Sequence, residues 1–266
     1  LQAEILRILA ARRDPESFIA GGVPVNRSGT RISNDIDIFH DREERVAAAA
    51  LGDAQALIDA GYTVRWTRQQ PAIYSVVVAS GEDETRIEWL ADSDFRFFPA
   101  LKDEEFGYVL DLADLAVNKV MAAASRREPR DLVDLVTLHE QYLPLGAAIW
   151  AAVEAAPGFT PEGLIAEIRR NSRYPAEAFA GLDADAPLDA AVVMEKLRAA
   201  LDDAEKFVAA MPSDKAGALF LKDGKPVQPD PTRLDQYVEH RGRRGGHLPT
   251  SPDVARAMLE RHKSKR

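Results

Sequence analysis

The apolar positions of this chain change rhythm twice. Ile5, Leu6, Ile8 and Leu9 recur at helical spacing and predict an opening helix over residues 2–12. A short apolar run, Ser17 to Ala20, then reads as a buried strand that stops at Gly21-Gly22, and residues 23–26 as a brief turn of helix. After the polar loop Arg27-Ser28-Gly29-Thr30-Arg31, strict alternation sets in at Asp35-Ile36-Asp37-Ile38, the mark of a strand with one apolar and one polar face. The alanine-rich stretch from Glu43 to Ala60 predicts a helix, with Gly61 as its C-terminal stop. Three strands are expected next, over 62–67, 73–79 and 85–90, the last two joined into a hairpin by Ser80-Gly81-Glu82-Asp83. A short strand over 108–110 precedes the second change.

From Asp111 onward the pattern is helix after helix. Asp111 or Asp114 can cap a helix running to about Ser125, Pro129 opens another through Leu138, Thr160-Pro161-Glu162 a third, and Pro187-Leu188-Asp189 a long one ending near Met211-Pro212. Residues 213–252 are rich in Gly and Pro and read as an extended arm. The expected organisation is an α+β domain over 1–110, a mixed sheet flanked by helices, followed by a helical domain over 111–212 and a basic C-terminal arm over 213–266.

Composition narrows the classes without choosing among them. With 46% hydrophobic and 29% charged residues the 266-residue chain is an ordinary globular one, and no apolar stretch approaches the roughly 20 residues a membrane span needs. The absence of cysteine excludes thiolate chemistry and fits a cytoplasmic protein. A net charge of −9 argues against a protein that coats nucleic acid, although Arg233 to Arg266 holds nine Lys or Arg against four Asp or Glu. Such a tail can dock on RNA or an acidic partner, or be a solvated end.

The alternating strand carries the strongest chemical signal. Side chains at i and i+2 share a face, so Asp35 and Asp37 stand side by side, where a divalent cation would relieve their repulsion. Gly21 and Gly22, with twelve residues between Gly22 and Asp35, offer backbone N–H groups that could approach a phosphate closely. Glu88 lies in Thr85-Arg86-Ile87-Glu88-Trp89-Leu90 and would join the aspartates if its strand paired with theirs; Asp92 is the rival third acid. The plainer readings are two solvated aspartates on an edge strand and a surface Glu88 paired with Arg86. On the helices, Lys119 sits among apolar neighbours and needs a counter-charge, a triphosphate or a carboxylate. Asp131 and Asp134, three apart on one helix face, could hold Lys119 or Arg126, and an interhelical salt-bridge network is the plain reading of that set.

Together these segments, Gly21-Gly22, Arg31-Ile32-Ser33-Asn34-Asp35-Ile36-Asp37, Lys119, Arg126 and Arg130-Asp131-Leu132-Val133-Asp134-Leu135, resemble the AbiEii-type nucleotidyltransferases of the DNA polymerase β-like superfamily, which include toxins of toxin-antitoxin systems. The resemblance covers roughly residues 15–140. It implies that Asp35, Asp37 and Glu88 bind Mg²⁺, with Mn²⁺ as a substitute, and that Gly21, Gly22, Arg31, Ser33, Lys119 and Arg126 contact a nucleoside triphosphate. Asp131 would orient Lys119 or the nucleotide. It further implies transfer of a nucleoside monophosphate to an acceptor hydroxyl, with a tRNA 3′ end as acceptor and a cognate antitoxin as partner, and no membrane. A small-molecule or protein acceptor, or a non-catalytic nucleotide-binding scaffold with a partner-binding tail, are the alternatives. Arg126, Arg127 and Arg130 are compatible with RNA without demanding it.

Overall fold

The computed structural model describes residues 1–27, 29 and 31–249, so Ser28 and Thr30 of the polar loop and the basic tail from residue 250 lie outside the described residues. The chain divides into two compact units, Leu1–Asp111 with Arg244–Gly246, and Leu112–Arg243 with the chain from His247.

Unit 1 is a mixed sheet with helices on one face. Its elements are α1 (Gln2–Ala10), β1 (Ser17–Ala20), α2 (Gly22–Val25), β2 (Asp35–His40), α3 (Glu43–Asp59), β3 (Thr63–Gln70), β4 (Ile73–Ser80), β5 (Asp83–Ala91), β6 (Phe95–Arg96), β7 (Leu101–Asp103) and β8 (Gly107–Val109). The sheet order is β3-β4-β5-β2-β1-β8-β7, with β2/β5 and β1/β8 parallel and the other pairs antiparallel. Alternation decides which face is covered. Ile36 and Ile38 of β2, Val76 and Val78 of β4, and Ile87 and Trp89 of β5 are buried in one core with Ile5, Leu6 and Leu9 of α1 and Val46, Ala50 and Leu57 of α3. The residues between them on β2 and β5 point the other way. Gly61, at φ +93°, ends α3: its N–H donates to the Ile58 carbonyl and that of Tyr62 to Leu57, a Schellman arrangement that needs a left-handed residue. Arg244–Gly246 returns to this unit through Arg244 Nε on Asp94 (2.7 Å).

Asp53 and His40 are among the buried polar groups of this unit. Asp53 of α3 accepts from Arg12 (2.6 Å), Arg13 and Trp89 Nε1 (2.8 Å), which gives the buried carboxylate three donors. His40, at the end of β2, is fully buried with neither ring nitrogen hydrogen-bonded to protein. Burial first, then the charges of Arg13 and Arg45, lower its pKa to about 4, partly offset by Asp14. In the unfolded chain the same imidazole titrates near 6.5. Between these values the unfolded state binds the additional proton, so stability falls as pH drops from about 6.5 to about 4, by an amount on the order of 3 kcal/mol. Urea denaturation across this window should show that slope in the wild type and lose most of it in His40→Phe; an unchanged slope would place the acid sensitivity elsewhere.

Unit 2 is helical: α4 (Leu112–Ser125), α5 (Pro129–Gln141), α6 (Leu145–Ala155), α7 (Pro161–Asn171), α8 (Glu177–Ala180) and α9 (Ala190–Ala210). Thr160 caps α7 by accepting from the Gly163 N–H (3.1 Å), as the cap-then-proline pattern predicts, and Asp189 caps α9 by accepting from Ala191 (2.8 Å). The sequence reading omits α6. Its run Leu145 to Ala152 is buried throughout, because α6 packs against α4, α7 and α9 and so has no polar stripe to betray its period. The stretch expected as an extended arm is more ordered than that. Within it β9 (Leu219–Lys222) is flanked by β10 (Lys225–Val227) and β11 (Val238–His240) in a small antiparallel sheet that buries Leu219, Phe220 and Leu221. Trp150 of α6 donates to the Lys215 carbonyl (2.8 Å) at the edge of that sheet. Among the described residues no helix is long and apolar enough to cross a membrane.

Candidate active site

The register of two parallel strands builds the carboxylate cluster of unit 1. Asp35 of β2 is paired with Arg86 of β5, and Asp37 with Glu88. All four side chains stand on the sheet face opposite α1 and α3, half-buried except for the exposed Arg86, while Ile36, Ile38, Ile87 and Trp89 fill the core beneath. Glu88 therefore lies beside Asp37. Asp92 does not, because it follows the His40–Ala91 pair at the far end of the strands, where its amide donates to the His40 carbonyl (3.0 Å).

The glycine pair borders the same carboxylates. Ala20, the last residue of β1, is the antiparallel partner of Asp37, so the chain turns at Gly21 directly against that side chain. Gly21 has φ +70°, and a β-carbon there would collide with the Asp37 carboxylate. A β-carbon on Gly22 would lie 2.6 Å from Ser33 Oγ and 2.7 Å from an Arg31 guanidinium nitrogen. Gly21 is thus favoured by its conformation and its closeness to Asp37, while a β-carbon on Gly22 would make the Ser33 and Arg31 side chains shift. Arg31 and Ser33 are buried; Ser33 Oγ donates to the Asp35 carbonyl (3.2 Å) and Arg31 to that of Ile32 (3.1 Å). Six of the expected site residues, Gly21, Gly22, Arg31, Ser33, Asp35 and Asp37, are therefore neighbours, with Glu88 across the strand pair.

One residue of this cluster was read from the sequence only as a partner for Glu88. Arg86 keeps that ion pair at 3.8 Å and also grips Asp35 with both teeth of its guanidinium, Nε to Oδ1 at 3.1 Å and the terminal nitrogen to Oδ2 at 2.9 Å. The hydrogen bond to Asp35, then the charges of Asp35, Glu88 and Asp37, make it hold its proton more tightly than a free arginine. Two facts made this visible in principle: Arg86 is two residues before Glu88, and parallel pairing that sets Glu88 beside Asp37 must set Arg86 beside Asp35.

The donor set, three carboxylates on one face, is the chemistry a hard divalent cation takes. Among the described residues no group of three or more His, Cys, Asp or Glu side chains is placed so that it could hold a metal ion. The positive charge beside the aspartates is supplied by Arg86, a guanidinium standing where a cation would relieve the same repulsion.

Unit 2 holds the second set of expected residues. Lys119 of α4 is buried and its ammonium meets Asp134 Oδ2 at 2.6 Å and Asp131 Oδ1 at 3.2 Å, both carboxylates fully buried on α5. Arg126 completes Asp131 through Nε at 2.7 Å and a terminal nitrogen at 3.1 Å. Burial alone would push the Asp131 carboxyl up, but Arg126 and Lys119 outweigh it and hold it below the usual range. Nearby, Arg127 lies over the Tyr174 ring and donates to the Arg173 carbonyl (2.5 Å). Within its unit this cluster has the form of the interhelical ion network that is its plain reading.

Comparison with known proteins bears on the fold. No protein-family model matches the chain, and no curated protein does. Among solved structures, MenT4, a nucleotidyltransferase toxin from Mycobacterium tuberculosis, is similar with a TM-score of 0.50 at 16% identity over 80% of this chain and 83% of its own. A candidate nucleotidyltransferase from H. pylori matches with a TM-score of 0.45 at 15% identity, over 78% of this chain and 92% of its own. The RNA terminal uridylyl transferase Cid1 matches with 0.31 at 11%, over 99% and 84%. With its mixed seven-stranded sheet flanked by helices, the chain has the α+β fold of the nucleotidyltransferases.

Proposed function

We propose that this protein is a Mg²⁺-dependent nucleotidyltransferase that moves a nucleoside monophosphate from a triphosphate to an acceptor hydroxyl and releases pyrophosphate. The observation that carries the reading is the pairing of Asp37 with Glu88, with Asp35 two residues before Asp37 on the same open sheet face, beside Gly21 and Gly22. Asp35, Asp37 and Glu88 would hold the metal, which supplies charge neutralisation at the phosphates and lowers the pKa of the attacking hydroxyl. Glu88 would take the hydroxyl proton as the acceptor oxygen bonds to the α-phosphorus and the bond to pyrophosphate breaks. Gly21 and Gly22, without β-carbons, would let main-chain N–H groups approach the triphosphate, with Arg31 and Ser33 beside its phosphates. The phosphate and positioning roles of Lys119, Arg126 and Asp131 rest on the sequence resemblance.

The acceptor we propose is the 3′ end of a tRNA, which would make the protein a cytoplasmic toxin paired with a cognate antitoxin; the nucleotidyltransferase toxin among the similar folds supports this branch. The test is incubation of the purified protein with Mg²⁺, each α-labelled triphosphate and total RNA. Label is expected in a tRNA-sized species with one triphosphate preferred. Label only in small molecules or protein would move the acceptor to those classes, and no label anywhere would overturn the reading.

A further inference from the structure

The two-toothed contact of Arg86 with Asp35 has a consequence for metal binding. A guanidinium that takes both oxygens of a carboxylate leaves it a poor ligand for a second cation, and Asp35 is only 17% exposed, so solvent does little to loosen the pair. Glu88, 3.8 Å from the same guanidinium, is also partly neutralised by it. Arg86 is itself 43% exposed and rooted on the open face of β5, so its side chain can swing off Asp35 without disturbing the core residues Ile87 and Trp89. We propose that Arg86 is a built-in counter-ion that competes with the divalent cation for Asp35. It is released when a triphosphate arrives and offers the guanidinium a replacement anion. Without nucleotide the charge on Asp35 is then already met and the site binds metal weakly; with nucleotide, metal and Arg86 exchange partners, so metal and triphosphate bind cooperatively. This rests on the nucleotidyltransferase reading above and adds the regulation of its metal site.

The test is Mn²⁺ binding, followed by the free-ion electron paramagnetic resonance signal, with and without a non-hydrolysable triphosphate. Wild type, Arg86→Gln, Arg86→Lys and Asp37→Asn are compared, each first shown to keep its melting temperature. Without nucleotide, Arg86→Gln should bind Mn²⁺ about three- to tenfold more tightly than wild type, the range expected from removing a partly exposed ion pair. Arg86→Lys, which keeps the charge but loses the fork, should fall between them. The gain in Mn²⁺ affinity on adding triphosphate should shrink in Arg86→Gln. If Arg86→Gln binds Mn²⁺ no more tightly than wild type while Asp37→Asn loses binding, the counter-ion role is overturned and the metal site stands. If no protein binds Mn²⁺ with or without triphosphate, both are overturned.

Discussion

Asp37→Asn is expected to reduce nucleotidyl transfer by about 10³-fold or more while leaving the melting temperature within a degree or two of wild type. The loss follows from position. Asp37 is the carboxylate shared by every part of the cluster: paired with Glu88 on one side, with Ala20 on the other, and abutted by Gly21. Asparagine keeps its shape and removes the charge that would hold the metal, and charge stabilisation of this kind is commonly worth about 10²–10³ for a single group, more where the metal is lost with it. Stability should hold because the side chain stands on the open face and contributes nothing to the core beneath it. Relief of like-charge repulsion from Asp35 and Glu88 acts in the same direction. Pyrophosphate release from each triphosphate, measured beside thermal unfolding, checks both halves. Transfer that survives the substitution in a fully folded protein would remove Asp37 from the chemistry.

Asp134→Ala should do the opposite and act first on stability. Asp134 is fully buried and holds the Lys119 ammonium at 2.6 Å, whereas Asp131 is shared with Arg126 and reaches Lys119 at 3.2 Å. Removing Asp134 leaves a buried cation short of its nearer partner, which typically costs about 3–5 kcal/mol. Replacing the pair together, Lys119→Met with Asp134→Leu, exchanges charge for apolar volume and should recover most of that loss. Urea denaturation of Lys119→Met, Asp134→Leu and the double variant gives the coupling directly. A loss below about 1 kcal/mol in Asp134→Ala would show that water reaches Lys119 and that the ion cluster does not hold α4 to α5.

The site and the fold were legible to different degrees, and for physical reasons. The aspartate strand announced itself because charged residues alternating with isoleucine have few explanations on an apolar strand. Local grammar also read well: the Gly61 stop, the Thr160 cap and the hairpin at Gly81 are each set by a few adjacent residues. Long-range pairing was not legible in that way. Whether Glu88 or Asp92 would meet the aspartates depended on the register of β5 against β2, which no local pattern specifies, and the grip of Arg86 on Asp35 followed from that same register. Helix α6 escaped notice because a segment buried on all sides has no polar period, and the strands β9 to β11 because three short strands between glycines and prolines look like loop until they pair.

The parallel pairing of β2 with β5 also makes the carboxylate cluster a long-range feature of the chain. Asp35 and Arg86 are 51 residues apart, with α3 and the β3–β4 hairpin between them, so their contact closes a long loop. Such distant contacts are entropically costly and form late. The electrostatic penalty of gathering the three carboxylates therefore arises only where β5 is paired with β2, and the same pairing brings Arg86, carried on the strand of Glu88, with the charge that offsets part of it.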